Sequence, residues 1–286
     1  MVSTRRMLKS QLNPGVPFLY KPKVCAVSFL NTAPLVYGMT HGPQHDAVDL
    51  QFAVPSECAR RVESGAADVG LVPVIEMDRQ ALSAVPAIGI ACHGPVRSIL
   101  LVSKMPFGEI RTLAGDSNSR TSVELARIVL ARRYGAEPVV APMAPDLDSM
   151  LARNDAALLI GDSALAVDPV ELGPASLDLG AEWCEMTGLP FVFAMWAGPS
   201  KKVTQELAAV LEASCLYGLS RLDRIIEEES SRRPLPRSLI ERYLSGNIVY
   251  RLGDRERAGL ELYLRYARQL DDLVLTAERR HGEAKP

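Results

Sequence analysis

The 286-residue sequence predicts an α/β protein built of two lobes with a cleft between them. Three observations lead there. Two stretches share one layout: strand, polar turn, helix, strand, Pro-containing turn, helix, strand. Two apolar strands flank the second stretch and supply crossings between the lobes. Charge is concentrated late in the chain: residues 201–286 hold 30 charged residues in 86, the first 200 only 36. The first part therefore reads as buried sheet and cleft, the last as amphipathic helices. At roughly 150 residues per domain, length alone also gives about two units.

Met1 to Lys23 carries basic residues with no apolar run behind them, so it reads as a tail and not a secretory signal. The first unit runs VCAVSFLNTAPL, DLQFAVPSECARRVESG, AADVGLVPV. The second runs IRTLAGDSNSRTSVELARIVLARRYG, EPVVAPMAPDLDSMLARN, DAALLIGDSAL. Asn31 to Asp68 spans 37 positions and Arg120 to Asp155 spans 35, lengths that suit parallel βαβ units. Ser98–Ser103 and Phe191–Ala197 are the crossing strands. Lobe I is then 24–102 with 194–286, and lobe II is 103–193. In the C-terminal part Leu207, Leu211, Cys215, Leu219, Leu222 and Ile226 fall on one helical face. Leu260, Tyr263, Ala267, Leu270 and Val274 fall on another. Between them Ser238 and Glu241 have capping-box spacing, and Gly246 reads as a stop. These helices are expected to return onto lobe I as scaffold.

Composition excludes several classes. With 32 Lys+Arg against 34 Asp+Glu the net charge is −2, unlike a nucleic-acid binder. A hydrophobic fraction of 48% is too high for a disordered chain. No apolar run approaches the length of a membrane span. The five cysteines, at 25, 58, 92, 184 and 215, have no C-x-x-C spacing and read as reduced core thiols of a cytoplasmic protein. The histidines at 41, 45, 93 and 281 lack ligand spacing, so neither metal nor cofactor is expected. Oligomeric state is left open.

Ligands of open α/β sheets bind beyond the carboxyl ends of the strands. The segments at those ends are the candidate site. Ser28-Phe-Leu-Asn31-Thr32-Ala-Pro34 opens a helix, with Asn31 or Thr32 as cap and Asn31 free to offer its amide to a ligand. Ser117-Asn-Ser119-Arg120-Thr121-Ser122 opens another, with Thr121 and Glu124 at capping-box spacing. Its surplus of hydroxyls around Arg120 suits a carboxylate or phosphate. Arg97 and Ser98 precede the crossing strand, and Arg97 serves equally as a salt-bridge partner. Ser56 follows Pro55 at a helix start. Asp162 lies in Gly-Asp-Ser at the matching place in lobe II, more naturally a cap than a base. Glu76 reaches either the cleft rim or solvent. There is no Gly-x-Gly-x-x-Gly, P-loop or Gly-x-Ser-x-Gly motif. The residues alone lead to a two-lobed binder of a small carboxylate.

The strings VSFLNTAPL, DVGLVPVIE, GPVRSILLVSK, SRTSVELARI, DAALLIGDSAL, TGLPFVFAMWA and SGNIVYRL together resemble the chorismate dehydratases of the futalosine-dependent menaquinone pathway. The resemblance runs from about Val24 to Ala267. Ser163 departs from the proline expected after Ile-Gly-Asp. What the resemblance implies is a two-lobed, type II periplasmic-binding-protein fold and a lyase that dehydrates chorismate, a small dianion, without cofactor. It carries Asn31, Ser98 and the run Ser119–Ser122 over as site residues. It implies that Ser119–Ser122 hold one carboxylate while Asn31 and Ser98 orient the enolpyruvyl arm and the leaving hydroxyl. For want of a His or Lys base, the substrate's own enolpyruvyl carboxylate is expected to take the carbon-3 proton, with Asp162 or Glu76 as competitor. A sister 1,4-dihydroxy-6-naphthoate synthase and a non-catalytic carboxylate-binding protein are the rival readings. Gly161-Asp162 stands where the sister enzyme is expected to carry a histidine.

Overall fold

The structure, a computed structural model, describes residues 20–117, 119–172 and 175–282, with side chains as far as 270. Of the expected tail, residues 1–19 lie outside the described residues, as do Asn118 of the polar run and the side chain of Val274.

The strands are β1 (Lys23–Val27), β2 (Asp49–Ala53), β3 (Val69–Pro73), β4 (Ser83–Cys92), β5 (Ile99–Ser103) and β6 (Thr112–Asp116). They continue with β7 (Val139–Met143), β8 (Ala156–Ile160), β9 (Ser176–Asp178), β10 (Phe191–Gly198) and β11 (Val249–Arg251). The helices are α1 (Ala33–His41), α2 (Pro55–Glu63), α3 (Val74–Arg79), α4 (Arg120–Val129), α5 (Leu147–Arg153) and α6 (Gly161–Leu165). Then come α7 (Pro169–Leu172), α8 (Leu179–Thr187), α9 (Gln205–Leu219), α10 (Leu222–Arg232), α11 (Arg237–Arg242) and α12 (Asp254–Gly282).

The strands form two sheets. The first has order β11-β4-β10-β3-β1-β2 and the second β7-β6-β8-β5-β9. In the first, β1 runs parallel to β2 and β3, while β10 runs antiparallel to β3 and β4. In the second, β6 is parallel to β7 and β8, and β5 is antiparallel to β8 and β9. Central strands such as β3 (VGLVP), β5 (ILLVS) and β8 (AALLI) are buried throughout, because helices cover both faces of each sheet. Edge strands β2 and β7 are partly exposed, and β7 accommodates Pro142, whose missing N–H is harmless at an edge.

Two segments cross between the sheets, one between β4 and β5 and one between α8 and β10. Ile99–Ser103 pairs along its length with β8, so the first crossing precedes residue 99 and does not follow 102. All of β10 pairs within the first sheet, so the second crossing precedes residue 191 instead of falling at 193/194. An apolar strand looks the same on either side of a hinge, and only its pairing decides its lobe.

The C-terminal helices differ from expectation in three places. The face through Leu207, Leu211, Cys215 and Ile226 is buried, but the helix breaks at Ser220–Arg221. Ser238 does not cap: α11 starts behind Pro236, whose fixed φ prepares the first turn. The chain then widens into a π-helical turn, Tyr243–Asn247, that contains Gly246. Finally, α12 packs against both β10 and α4, so it spans the two lobes rather than resting on lobe I alone. There Trp183, Phe191 and Tyr263 meet edge-on, Phe191 with ring centroids 5.3 Å from Trp183 and 4.9 Å from Tyr263.

Candidate active site

One cavity takes the carboxyl ends of parallel strands from both sheets. Val27 ends β1, Pro73 ends β3 and Ile160 ends β8, and all three line it. Four helix starts also reach it: Asn31 in the 3-10 turn leading to α1, Pro55 of α2, Ser119 before α4, and Gly161 of α6. Phe29, Leu71, Ile90, Val96, Ile99 and Phe193 give it apolar walls. Its polar side chains are Asn31, Ser98, Ser119, Thr121 and Ser122. Among the described residues, no lining side chain is titratable.

These polar groups form two sets. Asn31 Nδ2 donates to the Tyr243 hydroxyl at 3.0 Å, and that hydroxyl donates to Ser98 Oγ at 2.8 Å. Tyr243 and Ser98 are buried. In the other lobe Ser119 is the N-cap of α4: its Oγ accepts from the Ser122 amide at 3.2 Å and donates to Ser122 Oγ at 2.9 Å. Thr121 Oγ1 accepts the Ile75 amide at 3.3 Å, joining the lobes. Ser119, and not the Thr121–Glu124 pair, therefore caps this helix.

The other candidates lie elsewhere. Thr32 occupies the N-cap position of α1 but makes no capping bond, and its buried hydroxyl has no hydrogen-bond partner among the described residues. The chain enters α1 through a 3-10 turn, which turns Asn31 toward Tyr243 and leaves neither side chain as a cap. Ser28 is exposed and Ser56 sits in the first turn of α2; neither lines the cavity. Arg97 adopts φ +67 and turns its guanidinium to the carbonyls of Ala164, Leu165 and Val167, where α6 ends. Its two terminal nitrogens thus donate to three backbone carbonyls. Arg120, at the cleft rim, pairs with Glu76 across the lobes at 3.1 Å. Both guanidiniums are engaged within the protein, Arg97 by backbone carbonyls and Arg120 by Glu76.

Asp162 also faces away from the cavity. Its Oδ1 accepts the Leu30 amide at 3.0 Å and its Oδ2 pairs with Arg233. Burial raises this carboxyl above the ordinary carboxylate range, although Leu30 and Arg233 oppose the shift. Gly161 takes the cavity position instead. Its φ of +57 suits glycine, and a Cβ there would lie 2.7 Å from carbons of the Phe29 ring. His93 meets the buried Glu256. Among the described residues no group of three or more His, Cys, Asp or Glu is placed to hold a metal ion.

Sequence reading misses Tyr243. It is 212 positions from Asn31 and belongs to no motif. The available signal is an aromatic with a polar tip just before the SGNIVYRL string, inside a segment that otherwise reads as scaffold.

Fold and site together define a periplasmic-binding-protein-like molecule with a cavity lined by uncharged polar groups between its two lobes. Its fold is shared with a crystallised protein from Archaeoglobus fulgidus, at TM-score 0.68 and 18% identity over 88% of this chain and 98% of that one. It is shared too with the periplasmic aliphatic sulphonate binding protein SsuA from Escherichia coli, at TM-score 0.60 and 14% identity over 90% and 94%. Residues 22–269 match the menaquinone biosynthesis family, and the chain belongs to it. Among its relatives are the chorismate dehydratase of Thermus thermophilus, 29% identical over 82% of this chain and 91% of that protein, and that of Campylobacter jejuni, 22% identical over 86% and 97%.

Proposed function

We propose that the protein dehydrates chorismate to 3-[(1-carboxyvinyl)oxy]benzoate in menaquinone biosynthesis. The observation that carries this is the cavity itself: amide, hydroxyl and helix-start donors from both lobes surround a space without a titratable side chain among the described residues. The relatives named chorismate dehydratase support the same reading.

Chorismate carries two carboxylates. Helix N-termini and hydroxyls bind such groups through N–H and O–H donors without a cation. The start of α4, with Ser119 and Ser122, holds one carboxylate. Asn31 and Ser98 orient the enolpyruvyl arm and the carbon-4 hydroxyl. The reaction removes the carbon-3 proton and that hydroxyl as water, leaving an aromatic ring. With Asp162 and Glu76 engaged between the lobes, the substrate's enolpyruvyl carboxylate takes the proton and passes it to the departing hydroxyl. A positioned proton transfer of this kind contributes about 10²–10⁴ in rate. A cytoplasmic setting goes with this reading; among the described residues no helix is long and apolar enough to cross a membrane.

The test is to mix purified protein with chorismate and follow aromatic product by ultraviolet absorbance and mass. Product with the mass of chorismate less water is expected. Its absence would return the protein to the status of a carboxylate-binding module.

A further inference from the structure

We propose that Tyr243 is a positioning residue that fixes the hydrogen-bond polarity of Asn31 and Ser98 toward the substrate. The inference deepens the dehydratase reading and rests on it. A neutral phenol has one proton to donate and lone pairs to accept with. Tyr243 accepts from Asn31 Nδ2, so its single proton goes to Ser98 Oγ. Ser98 then has its own proton left to donate into the cavity. Asn31, with one N–H committed to the phenol, turns Oδ1 and its second N–H to the ligand. The serine becomes a dedicated donor, suited to an oxygen that gains negative charge as it leaves. The asparagine becomes a mixed donor and acceptor, suited to the enolpyruvyl arm.

Three features make this arrangement rigid. Tyr243 is fully buried, so its ring has no solvent-exposed alternative. Burial pushes the phenol well above its ordinary value, so its proton is retained throughout the working pH range. The residue also opens the π-helical turn, and π-turns inside helices frequently mark functional positions. From the same turn Asn247 Nδ2 donates to the Pro95 carbonyl at 2.9 Å. One turn thus holds both ends of the Pro95–Ser98 crossing segment.

Tyr243→Phe keeps the ring and removes the relay. With chorismate as substrate, kcat is expected to fall about 10- to 100-fold, the scale of a small misplacement of reacting groups. KM should change less than about threefold, because the lost contact aligns and does not bind. In a Ser98→Ala background Tyr243→Phe should cost clearly less than in wild type, since only the contact with Asn31 is then left to lose. Additive losses, or a Tyr243→Phe enzyme with wild-type kcat, would overturn the proposal. A readout that does not need the Phe variant to fold is the Tyr243 hydroxyl proton itself. It should be visible by NMR as a slowly exchanging signal that shifts when Ser98 is replaced by Ala; a signal indifferent to Ser98→Ala would equally overturn the relay. Wild-type protein inert toward chorismate defeats the dehydratase reading, whereas active wild type with a normal Tyr243→Phe defeats only this inference.

Discussion

Arg120 and Glu76 belong to different lobes and meet, Nη1 to Oε1, at 3.1 Å on one rim of the cavity. Beside them the Ile75 amide reaches Thr121 Oγ1. On another side the Leu30 amide and Arg233 both meet Asp162. The charged groups around the cleft, together with Thr121, therefore hold lobe to lobe, while Asn31, Ser98, Ser119 and Ser122 face the cavity.

Arg120→Gln and Glu76→Gln should leave kcat unchanged and raise KM by at most about fivefold. The Arg120 guanidinium is largely exposed and solvent-screened, so the pair is worth roughly 1 kcal/mol or less. Arg79, 3.4 Å from the same Glu76 oxygen, compensates when Arg120 is removed. Steady-state kinetics on chorismate checks this, and a kcat loss of several orders of magnitude in Glu76→Gln would make Glu76 the base.

Asp162→Asn should retain kcat within about tenfold, because the carboxyl faces Leu30 and Arg233 and not the cavity. Its stability cost should be under about 1 kcal/mol. Burial already raises this carboxyl, so its partners offset only part of the desolvation of the charged form. Arg233 also keeps Glu229, with Nε 2.7 Å from its carboxylate. Turnover and thermal melting of the variant measure the two effects separately.

How far the sequence was legible follows from range. The strands of the two units, the two crossing strands and the helix starts at Asn31, Pro55, Ser119 and Gly161 arise from local patterns and were readable, whereas β4, β9 and β11, outside those patterns, were not. Ser98 and the Ser119–Ser122 run came from motif strings. What local pattern cannot show is the direction of a long side chain. Arg97 and Arg120 sit in the right loops, but one guanidinium finds the carbonyls at the end of α6 and the other finds Glu76 across the cleft. Tyr243 was invisible for the complementary reason: its partners are brought to it only by the return of the C-terminal helices.

Gly161→Ala should abolish most activity, with a drop of about 100-fold or more in kcat/KM. The backbone there is left-handed, which costs an alanine roughly 1–2 kcal/mol. The added Cβ would also press the Phe29 ring of the opposite lobe at 2.7 Å. Either the ring moves into the cavity or the lobes separate, and both misplace the substrate. Kinetics alongside a melting curve distinguishes this from unfolding: a folded, inactive variant is the expected outcome.

The pH dependence separates a protein base from a substrate base. A base must be deprotonated to act, so its activity is lost as pH falls through its pKa. If Asp162 served, its carboxyl, raised by burial, would place the acid limb of kcat above the ordinary carboxylate range, and Asp162→Asn would remove turnover along with that limb. In the substrate-assisted reading no lining group among the described residues titrates. The Tyr243 phenol, raised by burial, stays protonated. Turnover should then be flat from neutral pH to about pH 9 and fall only in acid, as the bound substrate's carboxylate gains its proton. That acid limb should be identical in wild type and Asp162→Asn. A limb that moves or vanishes in the variant would transfer the role of base to Asp162.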